Sequence, residues 1–325
     1  MKPKVIVYKR VPQAVLDYMQ AYCDVVYYER LNDGNYADFF NELKEANGLI
    51  GSELRVNETL LDQAPHLKVV SNISVGYDNL DIDVLTKRNI LATNTPEVLN
   101  DTTADTIFGL LLATARRFPE LDQYVKTGQW KGSIEQELFG VDVHHKVIGI
   151  IGMGGIGATI AKRAHLGFDM KVLYHNRSRN EDAERLYDAT YCRLEDLLQQ
   201  ADFVVLMTPL TPQTVKLMGE KEFLLMKKSA IFVNGSRGKT VDEEALVKAL
   251  QTGEIAGAGL DVFVQEPIDV HHPLLSMKNV VTLPHVGSAT FETRMNMSMM
   301  AAESLVTALK GECPPTLINQ EVWGC

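Results

Sequence analysis

Short apolar runs alternate with longer amphipathic stretches along the chain. The runs are typical of strands buried on both faces of a parallel sheet, and the amphipathic stretches indicate helices between them. This alternation predicts an α/β fold. In the first section, to about residue 98, the apolar runs are Val5–Val7, Val25–Tyr27, Gly48–Ile50 and Val69–Ser71, and the helical stretches are Val11–Ala21, Tyr36–Ala46 and Asp81–Lys87.

A second series of strands follows a long, mostly apolar helix that the pattern predicts over Asn100–Phe118. A helix this apolar is expected to be buried, against a sheet or against a partner subunit. The six strands predicted after it are Val147–Ile151, Lys171–Tyr174, Phe203–Met207, Ala230–Val233, Ala256–Leu260 and Val280–Leu283. With helices between them, these strands fit a doubly wound sheet.

The end of the chain is predicted to be helical over Phe291–Leu309. The last stretch, of about 35 residues, is too short for a third domain, so it is expected to pack on the first section. The length of 325 residues, at about 150 residues per domain, also suggests two domains. We predict one domain from residues 1–98 and 291–325, and a second from residues 99–290.

Charge and composition narrow the classes of function. The 42 acidic residues outnumber the 32 lysines and arginines, and the net charge of −10 disfavours binding to nucleic acid or to an anionic membrane surface. No apolar stretch is long enough for a signal peptide or a membrane helix. The four cysteines have no CxxC spacing, so we expect no metal site and reduced thiols in a cytoplasmic protein. They are Cys23, Cys192, Cys313 and Cys325.

A glycine-rich turn links the strand Val147–Ile151 to a predicted helix, with glycines at Gly152, Gly154 and Gly157. In such a GxGxxG motif the first glycine allows a tight turn, and the second lets a pyrophosphate approach the backbone. The third lets the helix pack closely on the strand. Because the N-terminus of the helix offers N–H groups and a positive dipole end, the turn predicts a dinucleotide site.

The residues after the next strand indicate which dinucleotide is bound. An NAD site usually has Asp or Glu about 20 residues beyond the motif, where it binds the ribose 2′-hydroxyl. Here the strand ends in His175-Asn176-Arg177-Ser178, without a carboxylate. Arg177 can pair with a 2′-phosphate, and Asn176 and Ser178 can donate hydrogen bonds to it. We therefore predict NADP(H) in preference to NAD(H).

Arg237, Glu266 and His285 each lie in a loop that follows a predicted strand of the second series. Ligands of doubly wound sheets bind at the carboxyl ends of the strands. Beside a nicotinamide, an arginine can bind a carboxylate, and a histidine can give a proton to a carbonyl oxygen as the cofactor gives hydride. A glutamate on the other ring nitrogen would fix the tautomer and favour the imidazolium. The three residues together predict a catalytic site.

The chain resembles the D-isomer-specific 2-hydroxyacid dehydrogenases over nearly its whole length. In order and spacing the shared motifs are more specific than the glycine turn alone. They are SNISVGYDNLD (71–81), TTADTIFGLLL (102–112), VIGIIGMGGIG (147–157), TPLTPQT (208–214), FVNGSRG (232–238), GAGLDVF (257–263), QEP (265–267) and LPHVGSAT (283–290). Within the family the chain most resembles the bacterial glyoxylate/hydroxypyruvate reductases, also called 2-ketogluconate or 2-ketoaldonate reductases.

The resemblance implies a Rossmann-type NADP-binding domain over 99–290 and a smaller, flavodoxin-like substrate domain. Arg237 matches the substrate-binding arginine, Glu266 the acid that pairs with the catalytic histidine, and His285 the proton donor. The backbone N–H groups of Val75 and Gly76 would hold the substrate carboxylate, and Leu54 would lie in a covering loop. The further cofactor contacts it implies are Thr103, Gly155, Ile156, Thr208, Pro209, Gly235, Ser236, Asp261 and Gly287.

The implied activity is NADPH-dependent reduction of small 2-oxo acids to D-2-hydroxy acids by a homodimer. Glyoxylate and hydroxypyruvate are the first candidate substrates, and 2-keto-D-gluconate is a larger one. Two alternatives stay open at this point. One is a dehydrogenase of the same fold for another substrate, such as 3-phosphoglycerate with NAD. The other is a non-catalytic NAD(P)H-sensing interaction protein, like the C-terminal-binding corepressors.

Overall fold

The computed structural model describes residues 2–323, so the fourth cysteine, Cys325, lies outside the described residues. Contacts divide the chain into two compact units. One unit runs up to Leu99 and resumes at Ala289, and the other is Asn100–Ser288. Each unit is built on a sheet in which every strand pairing is parallel, which confirms the predicted α/β fold.

The first unit contains a five-stranded sheet in the order β2-β1-β3-β4-β5, the flavodoxin-like order. Its strands are β1 (Lys4–Val7), β2 (Asp24–Tyr27), β3 (Gly48–Gly51), β4 (Val69–Asn72) and β5 (Leu91–Thr93). Its first four helices are α1 (Gln13–Tyr22), α2 (Tyr36–Leu43), α3 (Glu58–Leu61) and α4 (Ile82–Lys87). The sequence pattern missed β5.

The second unit contains a seven-stranded sheet in the order β12-β11-β10-β9-β6-β7-β8. The order reverses between β6 and β9, which is the switch point at which doubly wound sheets bind ligands. Its strands are β6 (Val147–Ile151), β7 (Lys171–His175), β8 (Thr190–Tyr191), β9 (Phe203–Leu206), β10 (Ile231–Asn234), β11 (Gly257–Leu260) and β12 (Val280–Thr282). The prediction of six strands was wrong by one, because β8 is an exposed, two-residue edge strand without an apolar run.

The helices of the second unit are α5 (Asn100–Ala115), α6 (Phe118–Lys126), α7 (Gly155–Phe168), α8 (Glu181–Tyr187), α9 (Leu194–Gln200), α10 (Glu220–Leu225) and α11 (Glu243–Thr252). The predicted helix 100–118 ends early, because Arg117 adopts a left-handed conformation with φ of 56° and a new helix starts at Phe118. The apolar side chains of α5, such as Ile107 and Leu111, are fully buried, and α5 packs against the β10 and β11 strands of its own sheet.

The last helix, α12 (Phe291–Leu309), belongs to the first unit and packs on α1, β3, β4 and β5. Ser71 of β4 donates a hydrogen bond of 2.7 Å to the carbonyl of Ala301. Beyond α12, the buried Asn319 accepts from the Ala92 N–H at 2.9 Å and donates to the Ile90 carbonyl at 2.9 Å. The side chain of Asn319 therefore fastens the chain end to β5. Between residues 2 and 323 no helix is long and apolar enough to cross a membrane.

Candidate active site

Arg237, Glu266 and His285 all lie at one edge of the second sheet. Arg237 follows β10, Glu266 follows β11 and His285 follows β12. Because these three strands are parallel neighbours, their carboxyl ends meet at the same edge. The structure thus gathers three loops that are separated along the sequence.

Glu266 and His285 form a direct pair. The Nδ1 of His285 lies 2.7 Å from Oε2 of Glu266, and the other carboxylate oxygen accepts the N–H of Phe263 at 3.0 Å. Burial disfavours the Glu266 carboxylate, but the hydrogen bonds from His285 and Phe263 and the charges of His285 and Arg237 outweigh it. The pKa of Glu266 is therefore lowered. With Nδ1 bound to a carboxylate, Nε2 is the ring atom available for proton transfer.

Asp261 fixes the loop that carries His285. Its carboxylate accepts the N–H of Val286 at 2.8 Å and that of Gly287 at 2.9 Å, and its carbonyl accepts the N–H of His285 at 2.9 Å. These bonds hold His285 in a left-handed conformation with φ of 54°, which is strained for a residue with a side chain. Burial raises the pKa of Asp261 despite the two N–H donors. Its predicted contact with the cofactor stays a prediction.

The loop of Arg237 is held by its own side chains. The amide of Asn234 donates to the Arg237 carbonyl at 3.2 Å, and the Thr240 hydroxyl donates to the same carbonyl at 2.6 Å. The Ser236 hydroxyl donates to Oδ1 of Asn234 at 2.9 Å. Ser236, which was predicted to bind the cofactor, therefore has its hydroxyl engaged inside the loop.

The glycine turn between β6 and α7 has the shape that a pyrophosphate needs. Gly152 has φ of 101°, and a Cβ there would lie 2.6 Å from the Met207 carbonyl. A Cβ at Gly157 would lie 2.1 Å from the Gly152 carbonyl, whereas one at Gly154 would meet nothing within 4 Å. The first and third glycines thus allow the turn and the close packing, and the second leaves the backbone open. Gly155 and Ile156 form the first turn of α7.

The hydroxyl of Thr208 adds independent support for a ligand at this edge. It is buried and has no hydrogen-bond partner within the described part of the chain. Thr208 and Pro209 follow β9, and the Thr208 nitrogen borders the Gly152 turn. An unpaired buried hydroxyl is costly, so a polar ligand atom is the expected partner.

Three further predicted cofactor contacts are Thr103, Gly235 and Gly287. The Thr103 methyl lies 3.2 Å from the position of a Cβ on Gly287, so these two residues are close neighbours. A Cβ on Gly235 would lie 2.2 Å from the side chain of Ile107. The helix α5 therefore approaches the backbone of both glycine positions.

The loop after β7 is tied down by residues that flank the predicted phosphate contacts. Glu184 accepts the Tyr174 hydroxyl at 2.5 Å and the Arg179 guanidinium at 2.7 Å, and Arg179 holds the pKa of Glu184 below its ordinary value. Asn180 donates to the Met153 carbonyl at 2.9 Å, which links the loop to the glycine turn. Arg177 is exposed and makes no hydrogen bond or ion pair to any residue in 2–323.

The predicted substrate contacts Leu54, Val75 and Gly76 lie in the first unit, in the loops that follow β3 and β4. The Asn79 amide donates to the Leu54 carbonyl at 3.0 Å, and the Asn72 amide donates to the Gly76 carbonyl at 2.8 Å. The two asparagine side chains also bond to each other, at 3.2 and 3.3 Å. The two loops are therefore joined through one pair of asparagines.

Comparison with known proteins agrees with this geometry. Residues 108–287 match the family model described as D-isomer specific 2-hydroxyacid dehydrogenase, NAD binding domain. The chain is 49% identical over 324 residues to glyoxylate/hydroxypyruvate reductase B of Salmonella typhimurium, covering 100% of both chains. The chain belongs to the D-isomer specific 2-hydroxyacid dehydrogenase family.

Solved structures place the whole fold in the same family. An NADPH-dependent glyoxylate/hydroxypyruvate reductase from Sinorhizobium meliloti, in complex with NADP and malonate, matches at a TM-score of 0.86 and 33% identity, covering 98% of this chain and 97% of that one. A glyoxylate reductase from Paecilomyes thermophila matches at 0.89 and 28% identity, covering 98% and 99%. This dehydrogenase is therefore an oxidoreductase with a Rossmann NAD-binding domain.

Sequence reasoning missed the residues that hold the loops of this dehydrogenase. Asn234, Thr240 and Asn180 were not singled out, although Asn234 stands inside the FVNGSRG motif. For Asn234 the available signal was a polar residue at the end of a buried strand. Across the described residues, no three His, Cys, Asp or Glu side chains are grouped so that they could hold a metal ion.

Asp261→Asn tests the loop-holding role of this carboxylate. An asparagine offers only one acceptor oxygen, and its amide N–H₂ would face one of the two N–H groups of residues 286 and 287. The His285 loop should move, and we expect kcat to fall by about 100-fold, the effect of a displacement of about 1 Å. Steady-state kinetics with a 2-oxo acid measures this. Asp188→Asn, an exposed substitution in the same unit, is the control. An unchanged kcat would contradict the role.

Proposed function

We propose that this protein is an NADPH-dependent reductase of small 2-oxo acids, with glyoxylate and hydroxypyruvate as substrates and D-2-hydroxy acids as products. The observation that carries the proposal is the Glu266–His285 pair of 2.7 Å beside the loop of Arg237. That arrangement suits protonation of a carbonyl oxygen on a substrate with a carboxylate. The names of the relatives from Salmonella typhimurium and Sinorhizobium meliloti support this substrate class.

Bound NADPH would supply the hydride for the carbonyl carbon. The N–H groups of Val75 and Gly76 would hold the substrate carboxylate, under the loop of Leu54, while Arg237 orients the substrate. His285 would give the proton on Nε2 to the new alkoxide. Glu266 would keep Nδ1 protonated and stabilise the positive ring before the transfer.

Replacing His285 tests the proton transfer. His285→Asn suits the left-handed backbone, which asparagine tolerates, and removes the proton donor. We expect kcat for glyoxylate reduction to fall by about 10²- to 10⁴-fold, the usual contribution of a general acid. NADPH oxidation followed at its absorbance maximum measures the rate, with hydroxypyruvate and 2-keto-D-gluconate as parallel substrates. The oxidation of 3-phosphoglycerate is tested separately, with NAD⁺ as the hydride acceptor.

The matched control for this variant is His271→Asn, which changes an exposed histidine of the same unit. It should turn over like the wild type. A wild type that binds NADPH tightly but neither reduces any of the three 2-oxo acids nor oxidises 3-phosphoglycerate would contradict the proposed reductase. It would favour a cofactor-sensing interaction protein instead.

NADP(H) is the proposed cofactor, held at the 2′-phosphate by Arg177 with Asn176 and Ser178. Seven further residues are proposed to contact the nicotinamide end of the cofactor and the part that links its two nucleotides. They are Thr103, Thr208, Pro209, Gly235, Ser236, Asp261 and Gly287. The exposed, unpaired Arg177 supports the preference, since it has no internal partner to give up on binding a phosphate.

Arg177→Ala tests the cofactor preference. Loss of a charge-assisted pair with the 2′-phosphate should raise KM for NADPH by about 10- to 100-fold, while KM for NADH stays the same. Initial rates at varied cofactor and saturating 2-oxo acid give both constants. Arg185→Ala, which removes an exposed arginine of α8, should change neither. Equal increases for the two cofactors would refute the 2′-phosphate contact.

A homodimer in the cytoplasm is the proposed state. Since α5 already packs on its own sheet, the surface proposed for the partner is the next segment, residues 118–141. There Phe118, Trp130 and Phe139 are each more than half exposed. Large apolar side chains that are exposed in one segment are typical of a subunit interface. Cys23 and Cys192 are free thiols, as is usual in a reducing compartment. Sedimentation equilibrium tests the assembly, since one chain has a mass of 36.2 kDa.

A further inference from the structure

The segment that follows β5 donates hydrogen bonds to the backbone of the loop that follows β4. The N–H of Thr95 donates to the Ser74 carbonyl at 3.0 Å, and the side-chain amide of Asn94 donates to the Val75 carbonyl at 2.9 Å. Thr95 is fully buried, so its backbone offers a fixed anchor. Two successive carbonyls of the loop therefore point toward the same two residues.

This arrangement sets the direction of the next two N–H groups. In a trans peptide the C=O and the N–H of one unit point in opposite directions. Because the carbonyls of Ser74 and Val75 point toward Asn94 and Thr95, the N–H groups of Val75 and Gly76 point away from them. Neither N–H has an acceptor within residues 2–323. Successive unpaired N–H groups on one side of a loop form a nest for an anion.

Backbone carbonyls of the same two loops accept hydrogen bonds, which reduces the negative partial charge that an anion in the nest would meet. The carbonyl of Gly76 is turned toward the Asn72 amide at 2.8 Å, and that of Leu54 toward the Asn79 amide at 3.0 Å. Asn72, Asn79 and Asn94 thus each give an amide N–H to a carbonyl of the two loops. Carbonyl oxygens that would repel a carboxylate are occupied by donors instead.

We propose that Asn94 is a positioning residue, whose side-chain amide turns the Val75–Gly76 peptide so that its N–H faces the substrate carboxylate. The inference rests on the proposed function for the identity of the anion. It deepens that function by naming a residue that acts on substrate affinity through the backbone of another. Asn94 need not touch the substrate for this role.

The test replaces Asn94, whose side-chain amide is the hydrogen-bond donor, with two different residues. Asn94→Asp has nearly the same shape, but its carboxylate would face the Val75 carbonyl and set a negative charge behind the nest. Asn94→Ala removes the donor without adding charge. If the Asp variant does not fold, the Ala variant alone tests the positioning role. Asn41→Asp makes the same substitution at an exposed position of α2 in the same unit and serves as the control.

We expect KM for glyoxylate to rise by about tenfold or more in Asn94→Asp and by about fivefold in Asn94→Ala. The kcat and the KM for NADPH should stay within about twofold of the wild type. A purely structural role would lower kcat or melting temperature without this split. A KM for glyoxylate unchanged in both variants, or a kcat that falls while KM does not, would overturn the inference.

Malonate, a non-reacting dicarboxylate, separates this inference from the proposed reaction. Malonate should raise the melting temperature of the wild type and of Asn41→Asp, and raise that of Asn94→Asp far less. That result supports the inference even if the wild type reduces no 2-oxo acid, in which case the proposed function alone fails. Equal stabilisation of wild type and Asn94→Asp, or none of the wild type, overturns the inference.

Discussion

The buried carboxylate of Asp261 is the constraint on which the arrangement around His285 depends. It accepts two successive N–H groups, from Val286 and Gly287, and so compels the loop after β12 to turn back over the end of β11. Only in that turn does His285 take its left-handed backbone and bring Nδ1 within 2.7 Å of Glu266. Burying this carboxylate is costly, and the hydrogen bonds that it accepts determine where another side chain lies.

The same kind of hydrogen bond, from a side chain to the backbone, holds every loop of the candidate site. A side-chain amide, hydroxyl or carboxylate binds the backbone of its own loop, as Asn234 does for Arg237, or of a neighbouring loop, as Asn180 does for the glycine turn. In the first unit Asn94 and Asn72 do this for the loop of Val75 and Gly76. Loops that carry chemistry have little core of their own, so polar bonds to their backbone supply the rigidity that catalysis needs.

Local patterns made much of this molecule predictable. Buried strands such as β6 and β9 are continuous apolar runs, and α12 spans the residues that its amphipathic pattern predicts. Features governed by single residues escaped the pattern. The exposed edge strand β8 has no apolar run, and the left-handed Arg117 divides a stretch that the pattern predicts as one helix.

The contacts of two loop residues show where local reasoning stops. Asp81 caps α4 by accepting the Val84 N–H, which is a contact within three residues. The side chain of Asn79 instead joins Asn72 and the Leu54 carbonyl, which lies in another loop. Contacts within one turn follow from the sequence, whereas contacts between loops require knowing which strands are neighbours.

The coupling between Glu266 and His285 is the central claim, and a double-mutant cycle measures it most directly. The kcat for glyoxylate reduction is compared among the wild type, Glu266→Gln, His285→Asn and the double variant. If Glu266 acts through the ring of His285, the double variant is no more than about twofold slower than His285→Asn alone. If the two losses multiply in the double variant, Glu266 acts independently of His285 and the account is contradicted.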